Sequence, residues 1–479
     1  MQTTGVKIVA TLGPSINSEE KIEALIKAGA SMFRVNSSHS TPEEHKANID
    51  MVRKVSKKLN SNIAILLDLQ GPKIRVGNLK QPIELQEGAE IKLRHSSEQE
   101  GEIIPVDYSG IAVDVKKNDT IYLDDGKLEL RVIDTDGVNI RAEVLRGGLL
   151  KSRKGLNLPG RTASLSAITP KDIEYIKRAL EWKVDYLALS FVRTGEDVLK
   201  AKHCMEMYGG YIPIIAKIEK PEALDNIEDI IKLADGIMVA RGDLGIEISP
   251  EKVPAVQKKL IRECSAQNKV VIVATQMLET MIEQPIPTRA EASDVANAII
   301  DGADAIMLSG EIAVGKYPVE AVEMMTSISE NLEKNKIVRH NHFSRQMHDF
   351  ENHQAFAMCN AIVSMLDNLS IKAIVVFTTN GYTPALLSKA KPSVPVYALA
   401  KSETVCRQMN LYRDITPVTH NWQQEISTRS LKELNEILIK KVGMKAGDKV
   451  ILTGVIPYVV GQTTNFIKNA YYRRVVCYN

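Results

Sequence analysis

Lys217 and Glu219 follow one apolar run, Ile212-Pro213-Ile214-Ile215-Ala216, and Arg241-Gly242-Asp243 follows a second, Gly236-Ile237-Met238-Val239-Ala240. Both runs read as buried strands, so an ammonium and two carboxylates arrive at one rim. Hard oxygen ligands of this kind hold a divalent cation. A lysine beside them stabilises a developing negative charge. An unpaired buried charge costs several kcal/mol, so a lysine at the end of an apolar run has a partner or a task. A structural ion pair with Glu219 is the simpler reading. Asp243 on the next run, with Gly245 in a tight turn after it, favours a site for an anionic substrate.

The elements that must carry these groups are short, continuous and rich in Val, Ile and Ala. They fall at residues 6–10, 31–35, 63–68, 186–189, 212–217, 236–240, 270–274 and 305–308. Continuous rather than alternating burial is the mark of parallel strands covered on both faces. Helix starts lie between them. Thr41-Pro42-Glu43-Glu44 and Thr288-Arg289-Ala290-Glu291 read as capping boxes, Thr169-Pro170-Lys171-Asp172 as a third start, and Pro221 as a fourth. Eight such units with right-handed crossovers predict a (β/α)8 TIM barrel, class α/β. An open doubly wound sheet is the competing arrangement, and no Gly-x-Gly-x-x-Gly turn supports it.

Over a hundred residues interrupt the rhythm between the third and fourth runs. Short or alternating segments at 83–85, 91–93, 121–123 and 128–133, with Gly, Asp and Asn turns, predict an inserted all-β domain. Its expected form is a small β-barrel, residues 72–167, acting as a lid on the barrel's carboxyl face. The barrel is then 1–71 with 168–340. Residues 341–479 are expected to form a C-terminal α/β regulatory domain, with strands near 374–377, 394–398 and 449–452. His340, His342, His348 and His353 crowd the junction without metal-site spacing and read as a polar linker.

Composition narrows the function classes. The 479 residues are 44% hydrophobic and 25% charged, with a net charge of +2 and no dominant Lys/Arg block, which argues against nucleic acid as a partner. No apolar stretch reaches the ~20 residues of a membrane span. The start of the chain shows no signal-peptide pattern, and the five cysteines are scattered, as expected of reduced thiols in a cytoplasmic protein.

If the barrel is right, polar residues just after each strand share one rim. They are Thr11, Arg34 with Asn36, Asp68, Lys217 with Glu219, Asp243, Thr275, and Ser309 with Glu311. Thr11 or Ser309 alone would read as a turn residue. As a set they offer Mg2+ (or Mn2+) ligands in Glu219 and Asp243, and guanidinium forks for phosphate in Arg34 and Arg75. Backbone N–H groups at a helix start stand at 241–245. Thr275 and Ser309 supply hydroxyls for proton relay.

Here the sequence resembles the pyruvate kinases along nearly its whole length. The matching motifs are Ala10-Thr11-Leu12-Gly13-Pro14-Ser15, Arg34-Val35-Asn36-Ser37-Ser38-His39, Leu67-Asp68 with Gly71-Pro72 and Arg75, and Arg153-Lys154-Gly155-Leu156-Asn157-Leu158-Pro159-Gly160. Ala216-Lys217-Ile218-Glu219, residues 238–245, residues 274–279 and residues 287–297 complete the ordered set. The resemblance implies phosphoryl transfer from phosphoenolpyruvate to ADP, giving pyruvate and ATP. It implies Lys217 as principal transition-state stabiliser, and Glu219 and Asp243 as ligands of the divalent ion. Gly242, Asp243 and Thr275 would meet the substrate carboxylate, and Arg34 its phosphate. Arg75, Lys154, His39, Asn36, Thr11 and Pro14 would approach the nucleotide. It also implies a homotetramer. Another enolate-handling barrel, such as an aldolase or lyase, would not need the insertion, Arg75 or Lys154. A silent metabolite sensor would be expected to have lost Lys217, Asp243 or Thr275.

The departures are informative. Asp68-Leu69-Gln70-Gly71-Pro72-Lys73 stands where many relatives carry Asp-Thr-Lys-Gly-Pro-Glu and require K+. By family pattern the monovalent-cation pocket is Asn36, Ser38, Asp68 and Leu69. A fixed ammonium on Lys73 is expected to serve it, so K+ is not required. Ser37, Ser40 and Ile312 replace the usual Phe, Gly and Thr. In the C-terminal region Thr378, Thr379, Asn380, Gly381 and Thr383 read as a possible cradle for a phosphorylated effector. Tyr382 stands there where Arg is common, and Gly461 to Asn465 would line the same region.

Overall fold

Aliphatic side chains buried on both faces make parallel strands here, as hydrophobic continuity demands. The computed structural model describes residues 5–159, 165–335, 337, 353–420, 436–440, 442–445, 447–454, 464 and 466–471. Eight parallel strands close a barrel: β1 Lys7–Thr11, β2 Ala30–Asn36, β3 Ala64–Asp68, β4 Tyr186–Leu189, β5 Ile214–Ile218, β6 Gly236–Ala240, β7 Val270–Ala274 and β8 Ala305–Leu308. Round the ring the order is β1, β8, β7, β6, β5, β4, β3, β2, which rules out the open doubly wound sheet.

The helix starts form where local chemistry specifies them. Thr41 and Thr288 each close a capping box with the Glu three residues on, satisfying two orphan N–H groups apiece. Helix Pro170–Glu181 begins where Asp172 Oδ2 accepts from Thr169 N at 2.9 Å. Pro221 opens only a five-residue helix, Pro221–Asp225, before Ile227–Leu233.

By packing, the chain forms two compact units, Met1–Leu67 with Trp182–Tyr186 and Leu260–Asn479, and Asp68–Glu181 with Leu187–Lys259. In the second, the inserted strands hydrogen-bond as a six-stranded sheet plus the separate pair Ile83–Leu85 and Gly148–Leu150. This differs from a single closed small barrel. Gly148 sits at φ 139° at the start of the pair, a conformation that suits a departing strand rather than a continued ladder. Strands Ile104–Val106 and Asn139–Arg146 carry no clean sequence signal, yet Asn139–Arg146 pairs with both Glu90–His95 and Leu128–Thr135.

In the first unit a five-stranded sheet runs in the order Ile415–Thr419, Val396–Ala400, Ala373–Phe377, Lys449–Gly454, Phe466–Tyr471. The last strand is antiparallel. Residues 340–350, Gly461, Gln462, Thr463 and Asn465 lie outside the described residues. Among those described, no helix is long and apolar enough to cross a membrane.

One buried carboxylate ties three segments of the first unit together. Asp185, with no exposed surface, accepts from Ile65 N at 2.8 Å and Arg53 Nη2 at 2.7 Å on Oδ2. Its Oδ1 accepts from Arg407 Nε at 2.8 Å. Elsewhere in the same unit the buried Arg413 donates to Ile299 O at 2.8 Å. Removing one member of a buried charged network leaves the others uncompensated. Asp185→Ala should therefore destabilise by about 3 kcal/mol, read as a lowered denaturation midpoint. A change within about 0.5 kcal/mol would show that the network is not structural.

Candidate active site

Lys217 leaves the end of β5 and is held by three acceptors within the second unit. Its Nζ lies 2.8 Å from Ser190 Oγ, 3.0 Å from Glu219 Oε1 and 3.3 Å from Asp68 Oδ1. Asp68 and Glu219 are each 1% exposed. Glu219 Oε2 accepts from Phe191 N at 2.8 Å, and Ser190 Oγ donates to Leu69 O at 2.7 Å. These bonds fix the ammonium to within a narrow volume, which is the preorganisation that charge stabilisation needs.

Gly71 makes the cluster sterically possible. It sits at φ 66°, and a Cβ there would lie 2.9 Å from a Phe191 ring carbon and 3.0 Å from Ser190 Cβ. Ser190 and Phe191 were not among the rim residues picked from the sequence. The same rule finds them, since both follow strand β4 directly.

β5 pairs with β6 in register, Lys217 opposite Met238. Asp243 falls in the first turn of helix Arg241–Ile248, as the sequence predicts, with Gly242 beside it. Burial pushes the Glu219 carboxyl up, Lys217 opposes that, and Asp243 pushes it further. Lys73 Nζ lies 3.7 Å from Asp243 Oδ1. Gly155 clears its path: a Cβ there would stand 3.2 Å from Lys73 Cε. Burial is the main reason the Glu219 carboxyl resists ionisation, with the neighbouring Asp243 charge a smaller contribution. The donor set fits a divalent cation completed by non-protein oxygens; among the described residues no group of three or more His, Cys, Asp or Glu does so alone.

Lys154 Nζ is 2.7 Å from Asp124 Oδ1, and Arg75 Nη1 donates to Arg153 O at 3.1 Å. Both therefore belong to the inserted region and its root.

The first unit places the remaining rim residues. Arg34 Nη1 lies 3.3 Å from Thr11 Oγ1, whose own proton goes to Leu308 O at 2.8 Å. Asn36 Oδ1 accepts from Ser38 N at 3.1 Å, and His39 N bonds Asn36 O at 3.4 Å. Pro14 is exposed in the turn after β1. Ser40 takes φ 65°, the left-handed conformation that suits glycine and is uncommon for a side-chain residue. Ser37 and Ile312 are buried, at 1% and 0% exposure.

Thr275 and Gln276 follow β7 at φ 71° and 52°, a rare setting for a β-branched residue and a mark of strain at functional positions. Thr275 Oγ1 donates to Ala274 O at 2.6 Å. Glu311, fully buried, accepts from Ser309 N at 2.8 Å and Leu278 N at 3.1 Å. Ser309 Oγ is buried with no hydrogen-bond partner among the described residues.

In the C-terminal loop Thr378 Oγ1 accepts from Gly381 N at 3.0 Å, Asn380 Oδ1 from Tyr382 N at 3.1 Å, and Thr383 Oγ1 lies 2.6 Å from Thr464 Oγ1. Two of the five cradle side chains, Thr378 and Asn380, therefore hold the loop's own shape, while Thr383 ties it to Thr464. The helix that follows the loop runs Tyr382–Lys389.

Because burial raises the Glu219 pKa, its ionised form is disfavoured in the folded chain. Stability contributed by the protonated form falls as pH rises through that raised value. A cation that binds the ionised form must compete with the proton. The rise in Tm caused by Mn2+ should therefore be larger at pH 8 than at pH 5.5, and Glu219→Gln should remove most of it. An equal rise at both pH values, or one unchanged in the variant, would exclude Glu219 as a ligand.

Comparison with known proteins gives the family. Residues 3–322 match the model of the pyruvate kinase barrel domain, and residues 356–468 that of the pyruvate kinase alpha/beta domain. The pyruvate kinase of Staphylococcus aureus strain MRSA252 is 44% identical over 474 residues, 96% of this chain and 79% of its own length. That of strain USA300 is 43% identical over the same extent. The chain belongs to the pyruvate kinase family.

Proposed function

We propose that the chain transfers the phosphoryl group of phosphoenolpyruvate to ADP with a divalent cation, Mg2+ or Mn2+, and without K+. The observation that carries this reading is the Lys217 ammonium, fixed between Ser190, Asp68 and Glu219 at the end of β5. In the reaction the bond from phosphorus to the enol oxygen breaks and one to the terminal phosphate oxygen of ADP forms. The enolate oxygen keeps the electron pair, and a proton added to the methylene carbon gives pyruvate.

Lys217 offsets charge on the moving phosphoryl group and on the enolate oxygen. Arg34 binds the substrate phosphate. Gly242, Asp243 and Thr275, at the start of helix Arg241–Ile248 and after β7, receive the carboxylate. Thr275 and Ser309 pass the proton toward carbon, directly or through water. Held by Glu219 and Asp243, the divalent cation would supply Lewis-acid charge to phosphoryl and enolate oxygens. Arg75, Lys154, His39, Asn36, Thr11 and Pro14 form the nucleotide side. The inserted domain, residues 72–167, is the lid that excludes water from the transfer.

K+ independence is supported by Lys73, whose ammonium stands 3.7 Å from Asp243. It would supply the charge for the pocket of Asn36, Ser38, Asp68 and Leu69, where Leu69 is buried and brings no hydroxyl. Residues 1–71 with 168–340 form the catalytic domain. Residues 341–479 form a regulatory domain that binds a phosphorylated metabolite at Thr378, Thr379, Asn380, Gly381 and Thr383. The enzyme works in the cytoplasm as a homotetramer.

A coupled assay of ADP-dependent pyruvate formation tests the reading. With Mg2+ present and K+ replaced by tetramethylammonium, most of the wild-type rate should persist. Loss of most activity on removing K+ would refute the role of Lys73. No ADP-dependent pyruvate under either condition would refute the function.

A further inference from the structure

One buried carboxylate of the second unit lies outside the roles assigned so far and is only half satisfied. Glu247, near the end of helix Arg241–Ile248, has a side chain that is 1% exposed. Its Oε1 accepts from two donors, Lys220 Nζ at 2.6 Å and Asn157 Nδ2 at 3.0 Å. Its Oε2 is buried and, among the described residues, has no hydrogen-bond partner. Buried polar atoms are ordinarily paired, and an orphan calls for a physical reason.

The three partners come from the parts that must move together in phosphoryl transfer. Asn157 ends strand Leu156–Asn157, where the inserted domain returns toward the barrel. Lys220 directly follows Glu219 at the exit of β5. Glu247 sits on the helix that starts with Arg241, Gly242 and Asp243. Asn157 and Lys220 also line, with Lys73 and Phe191, a cavity of about 40 Å³, room for a water molecule.

We propose that Asn157, Glu247 and Lys220 form the reversible latch of the lid, with Asn157 and Glu247 acting as positioning residues for the bound nucleotide. The inference rests on the phosphoryl-transfer reading above. The lopsided carboxylate is what makes the latch reversible. When Asn157 withdraws, Lys220 keeps the charge paired and water reaches the orphan Oε2. Opening thus exchanges a shared acceptor for solvation of a bare one, whereas a fully satisfied carboxylate would resist. Arg75 and Lys154 travel with the lid and its root, while Lys217 and Arg34 stay on barrel strands. Loss of the latch therefore weakens ADP more than phosphoenolpyruvate.

The test is steady-state kinetics of Asn157→Ala, Glu247→Gln and the double variant, each substrate varied against saturating partner, with Tm measured for all. Asn157→Ala should raise KM for ADP about tenfold or more, the effect of one hydrogen bond to a charged group. KM for phosphoenolpyruvate should stay within about twofold, and the double variant should be no worse than the worse single one. An unchanged KM for ADP, equal rises in both constants, or additive effects would overturn the latch. Backbone amide exchange at residues 156–158, compared between wild type and Asn157→Ala, provides a readout independent of turnover. Faster exchange in the variant supports the latch and equal exchange removes it, even if Glu247→Gln does not fold. A wild type that makes no pyruvate would instead overturn the functional reading, and the exchange comparison would still decide the latch.

Discussion

The structure depends on keeping one ammonium charged in a place where water barely reaches. Lys217 is 12% exposed, and its partners Asp68 and Glu219 are almost fully buried. In such surroundings an opposite charge acts far more strongly than in water. The same burial would neutralise or expel the groups if any of them stood alone. Asp68 and Lys217 are brought in by different barrel strands, while Ser190 and Phe191 come from the turn after a third. β3, β4 and β5 are consecutive neighbours in the parallel sheet, which puts their carboxyl ends side by side.

That arrangement is not neutral. The elevated Glu219 pKa shows a carboxylate held against its own solvation, with Asp243 adding to the penalty. A stable protein tolerates this where the missing charge is supplied by something bound. Lys73 brings a positive charge to 3.7 Å from Asp243, and under the proposed function a divalent cation would bring more. Backbone strain follows the same logic. Thr275 and Gln276 occupy left-handed conformations at the end of β7, and such outliers persist where packing over-determines them for function.

Much of this was legible in the sequence because both faces of a barrel strand are buried. Continuous runs of Val, Ile and Ala then identify strands to within a residue or two, and the capping boxes at Thr41 and Thr288 mark helices directly. Lys217, Glu219 and Asp243 were legible because charges at the ends of apolar runs are costly. Ser190 was within reach of the same strand-end rule, but a single serine after a strand looks like any turn residue until its hydroxyl stands beside the lysine. The inserted region was harder still. Asn139–Arg146 is flanked on both sides by other strands yet exposes alternate side chains, and nothing local distinguishes a closed small barrel from a six-stranded sheet with a separate pair. In the C-terminal loop the Thr378 hydroxyl and the Asn380 side-chain carbonyl accept from the loop's own amides, contacts that no sequence pattern marks. Pairings such as Asn157 with Glu247 span 90 residues and leave no local pattern at all.

The central claim is that the fixed Lys217 ammonium stabilises the charge that develops as phosphorus leaves the enol oxygen. Lys217→Met keeps the length and apolar stem of the side chain and removes only the charge. If the claim holds, kcat for ADP-dependent pyruvate formation falls by about 10²–10³ or more, with KM for phosphoenolpyruvate changed far less and the fold retained by Tm. A folded Lys217→Met protein that keeps kcat within a few-fold of wild type would contradict it.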